Sequence, residues 1–225
     1  HISMRFCCLV LLVSSCYCWF GFDDQDEPPI PTKYFLSQFP KEFSMTSSII
    51  TLQDRINVET TDGSEIGSFF LKIIDRKEVF ILEDVHETDI ATATKTSLSW
   101  GATYDIQSEF IEDKWTIHER ILSSAIHMEN IFTINKNGQQ IAKMQQAEIL
   151  RDVIELTEPG KGVCATMKKA WFGIRDSWYI SVDEKSEVAP WVLGFFTAIV
   201  EATEADIAEV HEVNKESNNL KVELQ

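Results

Sequence analysis

Residues 188–200 constrain the fold of this chain most, because the stretch has almost no polar side chain. A surface helix needs a polar face toward water, so a helix here is expected to be buried on all sides. Pro190 suits its first turn, where a missing N–H costs least. The 13 residues 188–200 reach about 20 Å as a helix, which is shorter than the ~30 Å hydrocarbon layer of a bilayer. The sequence therefore predicts a core helix over 188–203 rather than a membrane span.

Short runs of strand-forming residues fill the chain between about residue 47 and this helix. Asp62-Gly63 and Asn137-Gly138 each separate two such runs, and both dipeptides are strong hairpin signals. A third glycine turn, at Pro159-Gly160, repeats the order of strand, turn and strand, which makes a weak internal repeat. Strands at regular short spacing, followed by one apolar helix, predict a mainly β fold: a barrel or a closely wrapped sheet around the helix.

The first 18 residues have the pattern of a tag remnant followed by a secretory signal peptide. His1-Ile2-Ser3 precedes Met4, and Arg5 is followed by a short apolar run that ends in small residues. Cleavage after Cys16 or Cys18 would give a secreted or lumenal protein. The alternative is a membrane anchor, with lipid attached to the cysteines of this segment. These are Cys7, Cys8, Cys16 and Cys18.

Composition divides the rest of the chain into three parts. Residues 19–46 form an acidic, proline-rich arm that ends in aromatic residues, which we expect to pack onto the domain. Residues 47–203 form the β domain, and 204–225 form an acidic tail. Within the mature chain Cys164 is the only cysteine, so no intrachain disulfide is expected. Its apolar neighbours favour a buried thiol.

The chain is acidic, with 20 lysine and arginine residues against 36 aspartate and glutamate residues and a formal charge of −16. This charge repels nucleic acid and anionic membranes over most of the surface, so no nucleic-acid partner is expected. The net charge does not determine the charge of each part of the surface, so a small basic patch is compatible with a net charge of −16. Solubility is the simplest explanation of the acidity.

No motif for catalysis, metal binding or cofactor binding is found. The histidines lack metal-ligand spacing, and there is no paired Cys-x-x-Cys, no Gly-x-Ser-x-Gly and no dinucleotide fingerprint. Cys164 has no basic neighbour in sequence to lower its pKa. We therefore expect a protein that is not an enzyme, with no catalytic residue, no metal and no cofactor.

Aromatic residues give the better functional clue. Most of them are expected in the core, but any that line a gap between barrel and helix could hold an apolar ligand. The segment at 171–175 joins bulky apolar groups to a cation, and we expect it at the rim of such a site. The candidate ligand-binding residues are Trp171, Phe172, Arg175, Trp178, Lys168 and Lys169.

Three groups of residues, within about 47–202, carry a family resemblance. They are the pattern Phe132-x-Ile134-x-x-x-Gly138-x-x-Ile141-Ala142, its earlier copy at 58–67, and residues 176–182 followed by 191–200. This pattern resembles the tubby C-terminal-like superfamily, and within it the LURP-one-related and phospholipid-scramblase-like proteins. The resemblance implies a closed antiparallel β-barrel of about 12 strands around a buried hydrophobic C-terminal helix.

The departures from that family bear on function. Tubby domains hold phosphoinositides with clustered basic residues, and the nearest approach here is Lys168-Lys169 with Arg175. Scramblases carry palmitoylated cysteines and an acidic calcium-binding segment beside the terminal helix, where this chain has Asp183, Glu184 and Glu187. We expect a secreted, non-enzymatic barrel that binds a lipid-like or other apolar ligand, or a protein partner. The alternative is a membrane-attached scramblase-like protein with lipidated N-terminal cysteines and calcium dependence.

Overall fold

The chain forms a single closed antiparallel β-barrel of twelve strands with one C-terminal helix. The computed structural model describes residues 32–47, 55–96, 101–123, 128–146, 153–172 and 175–203. The predicted signal peptide, the Pro-rich linker and the acidic tail lie outside these residues. The strands are β1 (Glu42–Ser47), β2 (Arg55–Thr60), β3 (Glu65–Ile74), β4 (Lys77–Asp84), β5 (Asp89–Lys95), β6 (Thr103–Gln107), β7 (Trp115–Ser123), β8 (Met128–Lys136), β9 (Gln139–Gln146), β10 (Val153–Glu158), β11 (Gly162–Phe172) and β12 (Arg175–Val182).

The helix, α1, spans residues 190–203 and lies inside the barrel. Residues 191–200 are all buried, so the helix has no water-facing side over this length. Its side chains contact strands on different sides of the closed sheet, with ring centroids 4.9 to 6.0 Å apart. These ring pairs are Phe195 with Phe69 of β3, Trp191 with Trp115 of β7, and Phe196 with Phe132 of β8. The predicted core helix is confirmed, and it begins at Pro190, as expected for a proline in a first turn.

The two ends of the barrel differ. The odd-numbered strands and α1 run in the same direction, because Trp191 at the start of α1 contacts Trp115 at the start of β7. We name the end where α1 and the odd-numbered strands finish the upper end, and the opposite end the lower end. Ile74 is the last residue of β3 and Lys95 the last of β5, so both lie at the upper end.

An aromatic segment covers the lower end. Phe35, Leu36 and Phe39 are buried, and the Phe39 ring packs edge to face on Phe43 with centroids 5.1 Å apart. As the sequence predicts, the aromatic residues of the arm pack onto the domain. However, β1 begins at Glu42 and pairs with both β2 and β12. The barrel therefore starts before residue 47, inside the stretch that composition assigned to the arm, because the barrel needs this strand to close.

Each of the three glycine turns joins two neighbouring antiparallel strands. Gly63, Gly138 and Gly160 have φ angles of +90°, +81° and +77°, which residues other than glycine rarely adopt. In each hairpin the pairing register shifts shortly before the turn. The weak sequence repeat therefore corresponds to a repeated hairpin with a bulge.

Within the described residues, no helix has both the length and the apolar composition that crossing a membrane requires.

Candidate functional site

The turn of the β3–β4 hairpin exposes two large apolar side chains next to each other. Ile73 is 67% exposed and Ile74 is 46% exposed, and no large hydrophobic residue in the described ranges is more exposed than Ile73. Asp75 and Arg76 form the turn with φ angles of 51° and 65°. Positive φ at both central residues matches the twist of a two-residue hairpin. We name residues 72–77 the hairpin tip.

At the upper end, the hairpin tip extends past the last described pairs that β3 and β4 make with their other neighbours, β2 and β5. Within the described residues, β2 pairs with β3 only as far as Phe70, and β5 pairs with β4 only as far as Val79. An ion pair below the tip joins Glu78 of β4 to Lys95 of β5, with a nitrogen–oxygen distance of 2.8 Å. The two isoleucines therefore lie near the turn of an anchored hairpin.

The charge of the hairpin tip is opposite to that of the chain. Lys72, Arg76 and Lys77 are all exposed and outnumber the single carboxylate, Asp75. The Lys72 ammonium lies 4.5 Å from the centre of the Phe70 ring, a cation–π contact that directs the lysine along the outer face. On a chain of formal charge −16, this tip is a local basic patch that also carries apolar side chains.

The residues predicted from sequence lie on the β11–β12 hairpin, which also turns at the upper end. Trp171, Phe172 and Arg175 are at the ends of the two strands, where Phe172 pairs with Arg175, but their side chains lie outside the described residues. Lys168 is exposed on the outer face of β11. The predicted site and the hairpin tip therefore share one end of the barrel.

Trp178 and Lys169 contact the end of the helix. The Trp178 indole N–H donates to Glu201 Oε2 at 2.7 Å, and the Lys169 ammonium donates to the same oxygen at 3.2 Å. Lys169 also lies 5.3 Å from the centre of the Trp178 ring. This network ties α1 to β11 and β12, and the ligand-binding role of both residues stays a prediction.

Glu119 is a buried carboxyl group inside the upper end. It follows Trp115 and Ile117 on the inward face of β7 and is 7% exposed, and its Oε1 atom has no hydrogen-bond partner. Burial raises the pKa of Glu119, and the charge of Lys95 opposes this shift only in part. A charged Glu119 is therefore unfavourable for the folded state.

We expect Glu119→Gln to raise the free energy of unfolding by about 1 kcal/mol at pH 7, because it removes a buried charge that lacks full hydrogen bonding. Since the pKa is higher in the folded than in the unfolded state, the native chain loses stability as pH rises above the ordinary value of 4.5. The advantage of the variant should therefore disappear below pH 4.5. Urea unfolding at a series of pH values measures this, with exposed Glu65→Gln as the control. A variant less stable than the native chain at pH 7 would contradict it.

Comparisons with protein-family models, with curated proteins and with solved structures find no match. The tubby-like relationship therefore stays a prediction.

Two surface clefts lie near the lower end, beside β6 and the connection to β7. One, of about 490 Å³, is lined in part by Asp89, Gln107 and Glu109. The other, of about 390 Å³, is lined in part by Asp105 and Glu112. Both linings carry more carboxylates than cations, so neither suits an anionic ligand.

Asp183, Glu187 and Cys164, which the sequence raised as metal ligands or a nucleophile, make other contacts in the structure. No three His, Cys, Asp or Glu side chains of the described ranges come together as a metal site. Glu187 pairs with Lys161 at 2.7 Å, and Asp183 accepts a hydrogen bond from the Lys185 N–H at 2.7 Å. Burial raises the pKa of Cys164 to about 11, and its thiol donates to the Leu156 carbonyl. Cys164 is thus the buried thiol that the sequence predicts.

Sequence reasoning missed the hairpin tip as a site. Its signal was present, since two adjacent isoleucines end an alternating strand within four residues of three cations. Only the structure shows that both isoleucines lie at the turn of the β3–β4 hairpin and are exposed.

Proposed function

We propose that this protein is a non-enzymatic barrel that binds an anionic lipid surface through its upper end. The observation that carries this proposal is the hairpin tip, where exposed Ile73 and Ile74 stand among Lys72, Arg76 and Lys77. A secreted or lumenal location and a tubby-like ancestry are part of the same proposal, and they rest on the sequence patterns described above.

Electrostatics favour one orientation on such a surface. A lysine or arginine near an anionic membrane contributes about 1 kcal/mol of attraction, which fades within a Debye length of ~10 Å. The acidic clefts beside β6 lie toward the lower end, so this orientation directs them away from the lipid. The net charge of −16 then disfavours the other orientations, in which acidic parts of the surface would face the lipid.

The filled interior favours a surface site over an enclosed ligand. Residues 191–200 of α1 occupy the barrel, and Gly194 lies so close to Phe69 that an added Cβ would be 2.4 Å from the ring. An apolar ligand between helix and sheet would have to displace these side chains. The lipid-like ligand expected from sequence is therefore better placed outside, at the upper end.

Vesicle sedimentation tests the proposal. The full chain should bind vesicles that contain phosphatidylserine but not vesicles of phosphatidylcholine alone, and added salt should weaken binding. The variant Lys72→Gln/Arg76→Gln/Lys77→Gln should bind about tenfold to a hundredfold more weakly, because it loses the attraction of three cations.

A matched control removes three exposed lysines at the lower end. Lys41→Gln/Lys114→Gln/Lys185→Gln has the same net charge as the hairpin variant. Its affinity for the vesicles should stay within about twofold of the affinity of the native chain, because these positions face away from the lipid. Equal losses in both variants would overturn the assignment to the hairpin tip. Absence of binding by the native chain at low salt would overturn lipid attachment and favour a protein partner.

A further inference from the structure

We infer that the outer face of β3, β4 and β5 is a docking surface for the N-terminal segment of this same chain, residues 19–31. This face lies on the side of the barrel, below the hairpin tip, and its role does not depend on the proposed function. Part of the face is buried, although the hydrophobic core of the barrel lies on the inside.

Three apolar side chains lie together on this outer face. Phe80 and Leu82 of β4 belong to the core inside the barrel. Successive side chains of a strand point to opposite faces, so Val79 and Ile81 point outward. The pairing of β3 with β4 places Phe70 opposite Ile81. We name Phe70, Val79 and Ile81 the outer patch, and none of the three belongs to the core cluster.

The outer patch is covered. Ile81 is 3% exposed and Val79 is 7% exposed. On this face the strand neighbours of Ile81 are Phe70 and Thr92, which are only half-buried. Neighbours within a sheet shield the sides of an outward side chain but leave its end to solvent. Ser68, which also points outward on β3, is fully buried. A further segment therefore lies over this face.

The described part of the chain begins beside the lower end of this face. The Thr32 hydroxyl donates to Asp84 Oδ2 at 3.0 Å, and Asp84 is the last residue of β4. Ile81 precedes Asp84 on the same strand at a distance of about 10 Å, at 3.3 Å per residue. The 13 residues 19–31 reach about 40 Å when extended. Several of them can therefore lie along the outer patch.

The C-terminal tail, residues 204–225, is the other acidic segment of the chain. It follows α1 at the upper end, where Glu201 accepts a hydrogen bond from the Trp178 indole of β12. In the closed sheet β1 and β2 lie between β12 and β3. The tail thus starts on another side of the barrel, and position favours residues 19–31.

The composition of residues 19–31 complements the outer patch and its border. Arg55 lies opposite Phe70 on β2, and the Lys72 ammonium lies 4.5 Å from the centre of the Phe70 ring, so two cations border the patch. The segment supplies apolar side chains for the patch and carboxylates for these cations. The apolar residues are Trp19, Phe20, Phe22 and Ile30, and the carboxylates are Asp23, Asp24, Asp26 and Glu27.

The backbone of the segment also suits this face. β4 pairs with β3 on one side and with β5 on the other, so its backbone groups are used within the sheet. A docked segment gains contacts through side chains alone. Pro28, Pro29 and Pro31 have no N–H to satisfy and favour an extended conformation. A segment that is already extended loses less conformational entropy on docking.

Thiol labelling at position 81 tests this inference. The full chain with Ile81→Cys should react slowly with iodoacetamide at this position, as read by mass spectrometry, because the outer patch is covered. Adding Trp19→Ser/Phe20→Ser/Phe22→Ser should speed the reaction about tenfold or more, because the segment loses the apolar groups that hold it in place. No strand of the barrel contains these three aromatic residues, so the change does not remove a barrel contact.

Val153→Cys is the matched control, because Val153 is 43% exposed on β10. It should react rapidly with and without the three serine substitutions. Rapid labelling of Ile81→Cys in the otherwise native chain would show an open patch and overturn the inference. Slow labelling that persists in the combined variant would also overturn it, and faster labelling with Ile207→Ser/Val210→Ser would then assign the face to the C-terminal tail. Labelling that speeds up on dilution would assign the face to a second copy of the chain and overturn docking within one chain.

Discussion

Gly194→Val is expected to lower the free energy of unfolding by about 3 kcal/mol, at the upper end of the range for overpacked cores. A Cβ at Gly194 would lie 2.4 and 2.6 Å from two atoms of the Phe69 ring. That ring is fully buried and packs edge to face on Phe195, with centroids 4.9 Å apart. Because the helix is enclosed by the barrel, neither the helix nor the ring can move away without disturbing another contact.

A second substitution makes this prediction specific. Phe69→Leu removes the ring atoms that the new side chain would meet, and it should destabilise the native chain on its own by leaving a cavity. In the double variant the two losses should not add, and the coupling should recover at least 1 kcal/mol. Urea denaturation of the four proteins measures this. Additive losses, or native stability in Gly194→Val, would show that α1 does not lie against β3 as described.

The helix and most strands could be predicted from sequence because their signals are local. A short apolar helix without a polar face is stable only when it is buried in the core. Asp62-Gly63 and Asn137-Gly138 indicate hairpins, because these dipeptides allow the backbone geometry of a tight turn. The strand β1 was missed because it follows Pro40 closely and has only Phe43 and Met45 as buried positions. Its assignment depends on pairing with β2 and β12, which no local pattern shows.

The candidate site was harder to predict because it depends on where neighbouring strands end. Ile73 alternates with Phe69 and Leu71 on the inward face of β3, yet it is 67% exposed, because it lies at the turn, past the last described pairs with β2 and β5. Glu119 was missed for a related reason. Glu119 continues the inward alternation of Trp115 and Ile117 on β7, so its burial follows from the strand and not from its residue type.

Glu158→Gln is expected to cost about 2 to 3 kcal/mol at pH 7, since Glu158 is a buried carboxylate that holds the start of α1. Its Oε1 atom accepts hydrogen bonds from Ser186 Oγ and from the Glu187 N–H, both at 2.7 Å. The Lys161 ammonium lies 2.9 Å from Oε2. Glutamine can keep one acceptor but loses the charge, and its amide N–H₂ would then face the Lys161 ammonium.

The pH dependence of Glu158 should be opposite to that of Glu119. Burial alone would raise the pKa of Glu158, but the hydrogen bonds from Lys161, Ser186 and the Glu187 N–H outweigh it and lower the pKa below its ordinary value of 4.5. The stabilisation by Glu158 is therefore present above pH 4.5 and is lost as pH falls through the folded-state pKa. The deficit of Glu158→Gln should shrink in acid, because the native carboxyl is then protonated as well.

Glu187→Gln is the matched control for this prediction, because Glu187 pairs with the same lysine but its side chain is 61% exposed. Exposed ion pairs contribute little, so this variant should unfold nearly as the native chain does at every pH. Denaturation curves at pH 7 and at several values below 4.5 decide the matter. If Glu158→Gln and Glu187→Gln lost equal stability, the link between β10 and the start of α1 would depend on Lys161 alone. The buried hydrogen bonds to Ser186 and Glu187 would then have no measurable role in seating the helix within the barrel.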